Sequence, residues 1–192
     1  MLTRAWFDRA ADVVAPDLLN KVLSVESDGG IASGRIIETE AYLPDDPASH
    51  AFNGQTDRNR VMFGRAGHLY VYLSYGIHRC ANVVTGPEGS GQAVLIRAVT
   101  PIDGLEIMRE RRGRPDRQLA DGPGKLCQAL GIDLVHDGID LLGNRHVAIL
   151  DDGTPPPVAP LTGPRVGITK AVDLPWRFRV SPSSGAGGFG GR

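Results

Sequence analysis

Apolar and polar positions alternate with a period of two in several stretches, and these predict the strands. The run Gly34-Arg35-Ile36-Ile37-Glu38-Thr39-Glu40-Ala41-Tyr42-Leu43 starts apolar and then interleaves acids and an aromatic. When extended, it places Glu38, Glu40 and Tyr42 on one face and Ile37, Thr39, Ala41 and Leu43 on the other. Val22 to Glu26, the turn Asp28-Gly29-Gly30 and the run from Ile31 to Leu43 together predict a β-hairpin. Between Gly67 and Val84, His68, Tyr70, Tyr72 and Ser74 alternate with Leu69, Val71 and Leu73, and a further strand follows after a tight turn at Ser74-Tyr75-Gly76-Ile77. Ala93 to Val99 reads as a buried strand interrupted by Arg97. His146–Leu150, Arg165–Ile168 and Trp176–Val180 read as short strands.

Helical spacing is sparser. Thr3 to Asp12 predicts a short helix with Trp6, Phe7 and Ala10 inward, and Pro16 closes the stretch that follows. Thr100-Pro101 reads as a helix start, with Leu105 and Met108 facing the core. Gly122-Pro123-Gly124-Lys125-Leu126-Cys127-Gln128-Ala129-Leu130-Gly131 reads as a helix stopped by its last glycine. Pro44 to Ala66 is polar and too long for a simple connection, which marks it as functional or mobile. The expected organisation is one α+β domain over residues 1–180, with a Ser/Gly-rich tail at 181–192.

A chain of 192 residues suits one domain with a sizeable core. It has no apolar run of membrane-spanning length and no signal peptide, and its two cysteines, Cys80 and Cys127, have no metal-ligand spacing, so a reduced, cytoplasmic setting is expected. The net charge of −1 does not advertise a nucleic-acid partner. Only Lys21, Lys125 and Lys170 are lysines, so the other 18 basic residues are arginines, a skew that suits bidentate phosphate contacts but also follows from a GC-rich genome.

Two carboxylates two residues apart on a strand repel each other, which folding alone would not select. Taken alone, the stretch still reads first as a solvated strand face. All four tyrosines lie at positions 42, 70, 72 and 75. Sheet packing accounts for most of them, but a large aromatic at a hairpin tip, Tyr75, has no core to enter and points to binding. Arg97 inside an apolar strand needs a carboxylate or a phosphate, as a structural salt bridge or a substrate clamp. The arginine-rich run from Arg109 to Arg117 reads as a solvated face or a phosphate contact. The glycine-rich start of the Pro123 helix, with Lys125 beside it, could receive an anion, but it lacks the spacing of a nucleotide-triphosphate loop. Nucleophile-elbow and Cys-His hydrolase patterns are absent. A metal site from Glu38, Glu40, His50 and His68 follows no recognised spacing. An acidic strand, a tip aromatic, an isolated arginine and a cationic helix start suit a base-flipping enzyme.

The segments Glu38-Thr39-Glu40-Ala41-Tyr42, Tyr70-Val71-Tyr72 with Tyr75-Gly76, and Gly122-Pro123-Gly124-Lys125-Leu126-Cys127-Gln128-Ala129-Leu130 resemble the monofunctional alkyladenine (3-methyladenine) DNA glycosylases, in the same order and from about Leu18 to Val180. The resemblance implies a curved, mainly antiparallel sheet flanked by short helices, with a protruding, DNA-intercalating hairpin at Tyr75. It implies that Glu40 is the general base and Arg97 its neighbour near the water and a phosphate. Tyr42, His50 and Tyr72 would stack on the flipped base, and Asn82 would help exclude normal purines. Tyr75 would fill the vacated stack, and Lys125 would contact the DNA backbone. The partner would be duplex DNA carrying damaged purines, with no cofactor or metal and a monomeric enzyme. No lysine is expected in the pocket, so no lyase step is expected. The alternatives are a lesion-binding module that does not cut and a metal-dependent hydrolase.

Overall fold

The computed structural model describes residues 2–144 and 146–181. Its axis is one strand, β2 (Gly30–Tyr42), whose 13 residues far exceed ordinary strand length. The expected hairpin is present: β1 (Val22–Ser27) pairs antiparallel with the first half of β2, from Val22↔Arg35 to Ser27↔Gly30. β5 (Gln92–Asp103) runs along the whole opposite edge, from Tyr42↔Ala93 to Ser33↔Asp103. Beyond β5 lie β4 (His78–Thr85) and then β3 (Leu69–Ser74), and beyond β1 lies β6 (Val147–Leu150). The second half of the β1 edge of β2 is taken by β8 (Arg177–Arg179), which also pairs with β7 (Leu161–Gly163). Every pairing among these strands is antiparallel, so the eight form one curled sheet, as the α+β reading expected.

The helices are short: α1 (Arg4–Phe7), α2 (Ala11–Asp17), α3 (Leu105–Arg112) and α4 (Pro123–Leu130). They cover one face of the sheet and bury Phe7, Val14, Met108, Leu126 and Leu130 against Leu23, Ile36, Ile96 and Val83. Such burial stabilises by roughly 1.5–3 kcal/mol per large side chain. A smaller cluster of Ala51, Met62, Tyr70, Val84 and Ala93 lies between the 44–66 connection and β3–β5. That connection contains one short 3₁₀ turn, Arg60–Phe63.

Three expectations are corrected. Thr100-Pro101 does not start a helix: β5 continues to Asp103, and the Ser33 hydroxyl bonds the Asp103 carboxylate at 2.8 Å. Pro101 is tolerated there because the ladder shifts register between Ser33 and Gly34. The helix begins only after Gly104, whose φ of 71° suits glycine; a Cβ there would lie 2.3 Å from the Ile31 carbonyl oxygen. Arg165–Ile168 is loop, with the strand displaced to Leu161–Gly163. The first helix breaks at Asp8, so Ala10 is exposed and Ala11 takes the inward place. Of the predicted tail at 181–192, residues 182–192 lie outside the described residues. Among those described, no helix is long and apolar enough to cross a membrane.

Candidate active site

Two adjacent bulges shape the site. Ile36 opposes Val99, Glu38 opposes Ala98 and Thr39 opposes Ile96, so Ile37 is supernumerary on β2 and Arg97 on β5. Bulges re-aim side chains, and here Arg97 meets both acids of the opposite strand. Its Nε donates to Glu38 Oε1 at 2.8 Å, and its Nη1 lies 3.2 Å from Glu40 Oε2. Arg177 Nε, from β8, donates to the same Glu38 oxygen at 2.6 Å. The repulsion between neighbouring carboxylates is thus offset by two guanidinium groups. Read alone, the stretch suggested a solvated face; instead Glu40 is 0% exposed, as are Thr39 and Ala41 on the other side of the strand.

Glu40 receives three donors. The Val166 N–H binds Oε1 at 2.8 Å, while the Tyr42 hydroxyl at 3.0 Å and Arg97 meet Oε2. Burial nevertheless dominates and raises the Glu40 pKa above the ordinary glutamate value; Arg97 and the two hydrogen bonds pull it down without cancelling the shift, and Glu38 adds to the rise. Burial also opposes the charge on Arg97, but Glu40 and Glu38 outweigh it and hold the guanidinium firmly protonated. Burial and the Glu40 charge push the Tyr42 phenol upward, so it is a neutral donor.

A cavity of about 720 Å³ opens beside this cluster. Tyr42, His50, Tyr70, Tyr72, Asn82 and Arg97 contribute to its wall. Glu40 does not: it sits behind Tyr42 and Arg97. Tyr70 and Tyr72 stack with centroids 5.5 Å apart, and His50 stands edge-on to Tyr72 at 4.4 Å. His50 Nδ1 lies 3.2 Å from the Tyr70 hydroxyl. Packing around the imidazole lowers its pKa, and the Arg58 charge adds to this, while burial lifts the Tyr70 phenol to about 12. The lowered pKa favours the neutral ring, whose Nδ1 is taken up by the Tyr70 hydroxyl while Nε2 is left for a ligand. Asn82 donates to the Tyr70 and Cys80 carbonyls at 3.1 and 3.4 Å, leaving its own carbonyl oxygen for a ligand.

Two rim elements complete the site. The β3–β4 hairpin turns through Tyr75 and Gly76, both with positive φ, and leaves Tyr75 86% exposed at the mouth of the cavity. Tyrosine in this conformation is strained, and such strain persists where the surroundings or function demand it. Beside the hairpin, with Gly124 close against His78, lies the start of α4, where Lys125 is exposed and 3.0 Å from Asp121. Lys125 and Lys170 both border the cavity, which corrects the expectation of a lysine-free pocket; both side chains are exposed.

The structure therefore gathers Glu40, Tyr42, His50, Tyr72, Tyr75, Asn82, Arg97 and Lys125 around one opening. It does not gather the metal-site candidates. Glu38 and Glu40 are bound by arginines, while His68 lies near Arg4 and the Arg65 carbonyl. Among the described residues, no group of three or more His, Cys, Asp or Glu side chains could hold a metal ion. Most of the arginine-rich run is engaged by protein partners: Arg109 pairs at the surface with Asp116 and Glu106, and Arg111 and Arg112 reach Ala129, Ser27, Leu119 and Gln128.

Sequence reasoning missed Tyr70 as a wall residue, the 166–170 loop, and a fully buried ion pair, Asp46–Arg165. Tyr70 was within reach, since it alternates with Tyr72. The loop and the pair join positions more than 100 residues apart and leave no local pattern.

The site thus sets a buried, arginine-braced carboxylate behind an aromatic cavity, with an exposed hairpin tip at its mouth. The comparisons name the class. A model of the methylpurine-DNA glycosylase family matches residues 5–184, and the chain belongs to that family. Relatives named "Putative 3-methyladenine DNA glycosylase" include one from Burkholderia lata, 52% identical and covering 94% of this chain and 87% of its own length. One from Rhodopseudomonas palustris is 52% identical over 95% and 88%, and one from Methanoculleus marisnigri is 50% identical over 95% and 96%.

Proposed function

We propose that this DNA glycosylase flips damaged purines of the 3-methyladenine type out of duplex DNA and hydrolyses their N-glycosidic bond with a water activated by Glu40. The observation that carries the reading is the placement of Glu40 directly behind Arg97 and Tyr42 in the wall of an aromatic cavity. A flipped purine would lie against the Tyr72, His50 and Tyr42 rings. A purine nucleotide methylated at a ring nitrogen, as in 3-methyladenine, carries positive charge, which cation–π attraction favours and which makes the base a good leaving group. His50 Nε2 and the Asn82 side chain would test its shape and hydrogen-bonding edge, and Asn82, buried in the wall, would crowd a normal purine's exocyclic amino group. Tyr75 would fill the gap in the stack, and Lys125 would hold a backbone phosphate.

Glu40 is sealed in the free protein, so the water needs a way in. Arg97 is held at 2.8 Å by Glu38 and only at 3.2 Å by Glu40. A water entering between Nη1 and Oε2 would keep both charges hydrogen-bonded. Glu40 would then accept its proton as the oxygen attacks C1′, and its charge would stabilise the oxocarbenium-like sugar. The products are the free base and an abasic site. No metal or cofactor takes part in this scheme, and a monomer suffices. Without an amine at the reacting carbon there is no lyase step, so borohydride should trap no protein–DNA adduct even though Lys125 and Lys170 border the cavity.

The test is single-turnover cleavage of duplexes carrying one hypoxanthine, one ethenoadenine or methylated purines, followed by alkali, in EDTA. Wild type should leave alkali-labile sites, and Glu40→Gln should bind without cutting. Binding without cleavage of any of these lesions by wild type would make the chain a lesion-binding module. Loss of activity in EDTA would point to a metal-dependent hydrolase.

A further inference from the structure

We propose that the buried pair Asp46–Arg165 is the positioning device of the site, locking Glu40 in place by fixing both Tyr42 and the backbone of Val166; this rests on the reading of Glu40 as the base. Both side chains of the pair are 0% exposed. Arg165 grips the Asp46 carboxylate with both terminal nitrogens, Nη2 donating to Oδ1 at 2.9 Å and Nη1 to Oδ2. Nη1 also donates at 2.9 Å to the carbonyl of Ala41, the residue between Glu40 and Tyr42. The guanidinium carbon lies 4.6 Å from the Tyr42 ring centroid and 5.2 Å from that of Trp176. The Trp176 carbonyl in turn accepts the Ala41 N–H at 2.9 Å. Asp46 ties in the 44–50 loop by accepting the Ala48 N–H at 2.9 Å, two residues before His50.

One guanidinium therefore fixes three segments relative to each other. It clamps the β2 backbone beside Glu40, orients the Tyr42 ring whose hydroxyl binds Glu40 Oε2, and anchors the residue preceding Val166, whose N–H binds Oε1. Stability alone is a weak explanation for it. A buried ion pair roughly breaks even against apolar replacements of the same size, and this one leaves Arg165 Nε buried without a hydrogen-bond partner among the described residues. What the pair supplies is geometry: a planar fork that a lysine cannot reproduce.

The readout is the acid limb of the excision rate. Glu40 is faced by Arg97 from β5, by Glu38 and Tyr42 from β2, by Cys80 from β4, by the Val166 N–H from the loop, and by Arg177 from β8 through Glu38. The Val166 and Tyr42 hydrogen bonds both stabilise its carboxylate. If they loosen, the carboxylate needs a higher pH to form, and the acid limb moves up. Direct charge effects are separable. Arg165→Lys keeps the positive charge, and Asp46→Asn removes a negative one, which by Coulomb attraction alone would move the limb down. Positioning predicts an upward move in both.

Single-turnover rates would be measured from pH 5 to 9 on the best cleaved duplex for wild type, Arg165→Lys, Asp46→Asn and the milder Trp176→Leu, with Glu40→Gln alongside. Thermal melts would confirm folding, and duplex affinity would be measured separately. The expected result is a loss of at least about tenfold in rate for the ion-pair variants, an upward acid limb, and affinity within about twofold of wild type. Trp176→Leu should show a smaller shift in the same direction, and it decides the matter if the ion-pair variants do not fold. Folded variants whose acid limb stays where wild type has it would overturn the inference. A Glu40→Gln protein that still cuts would instead overturn the assignment of the base.

Discussion

The two ends of this site are built on opposite principles. Behind the cavity, Glu38, Glu40, Arg97, Arg177, Asp46 and Arg165 form a nearly dry set of charges in which every carboxylate meets a guanidinium. At the mouth, Tyr75 stands almost fully exposed on a strained turn, and Lys125 holds only a surface partner. Buried charges tolerate few geometries, because any unpaired arrangement costs full desolvation. Exposed groups are cheap to move and remain available to a large partner. In the proposed mechanism this contrast separates the chemical step from the capture of the duplex.

The largest expected effect comes from breaking the dry end. Glu40→Gln should lower single-turnover excision by about 10² to 10⁴-fold, the usual range for a positioned general base, with duplex affinity retained. Its fold should be at least as stable as wild type at pH 7. Burial raises the folded-state pKa of Glu40, so the charged form is disfavoured there relative to the unfolded chain, and a neutral isostere removes that penalty above the unfolded value. Thermal melts at pH 7 check this; a large loss of stability would mean that the carboxylate is needed to hold Arg97. The same shift gives the wild-type pH dependence. Excision should fall on the acid side as Glu40 protonates, at a higher pH than for an ordinary glutamate.

At the wet end the effects are smaller and of another kind. Tyr75→Gly should lower excision, about tenfold, by weakening retention of the flipped state, yet raise stability by about 1 kcal/mol because glycine accepts the left-handed turn freely. A variant that loses activity while gaining stability would mark the strain as functional. Lys125→Ala should leave the chemical step unchanged and reduce the salt dependence of duplex binding by about one unit of slope, the signature of one lost phosphate contact. An unchanged slope would assign Lys125 to its pair with Asp121 alone.

Legibility differs along the same divide. The hairpins were readable because alternation and turn residues act within a few positions: Val22 to Leu43 and Gly67 to Val84 form strands as expected, and Gly131 ends α4. Glu40, Arg97 and the tyrosines stood out because their residue types conflict with ordinary strand packing. The misjudged elements are those where tertiary pairing overrode local preference. Thr100-Pro101 carries a helix-start signal, but the length of β2 and the Ser33–Asp103 contact extend the strand through it. Asp46 carries no local signal of its pairing, because its partner lies 119 residues away.

By itself, then, the sequence determined most of the strands, the hairpin tip and the out-of-place side chains Glu40, Arg97 and Tyr75, since periodicity, turn chemistry and residue type are local properties. Only the tertiary structure decided that Glu40 is sealed and raised in pKa, that Arg97 bridges two acids across paired bulges, and that Asp46 and Arg165 brace the whole. Burial and ion pairing are set by what the folded chain brings from afar, and no short window of residues contains that information.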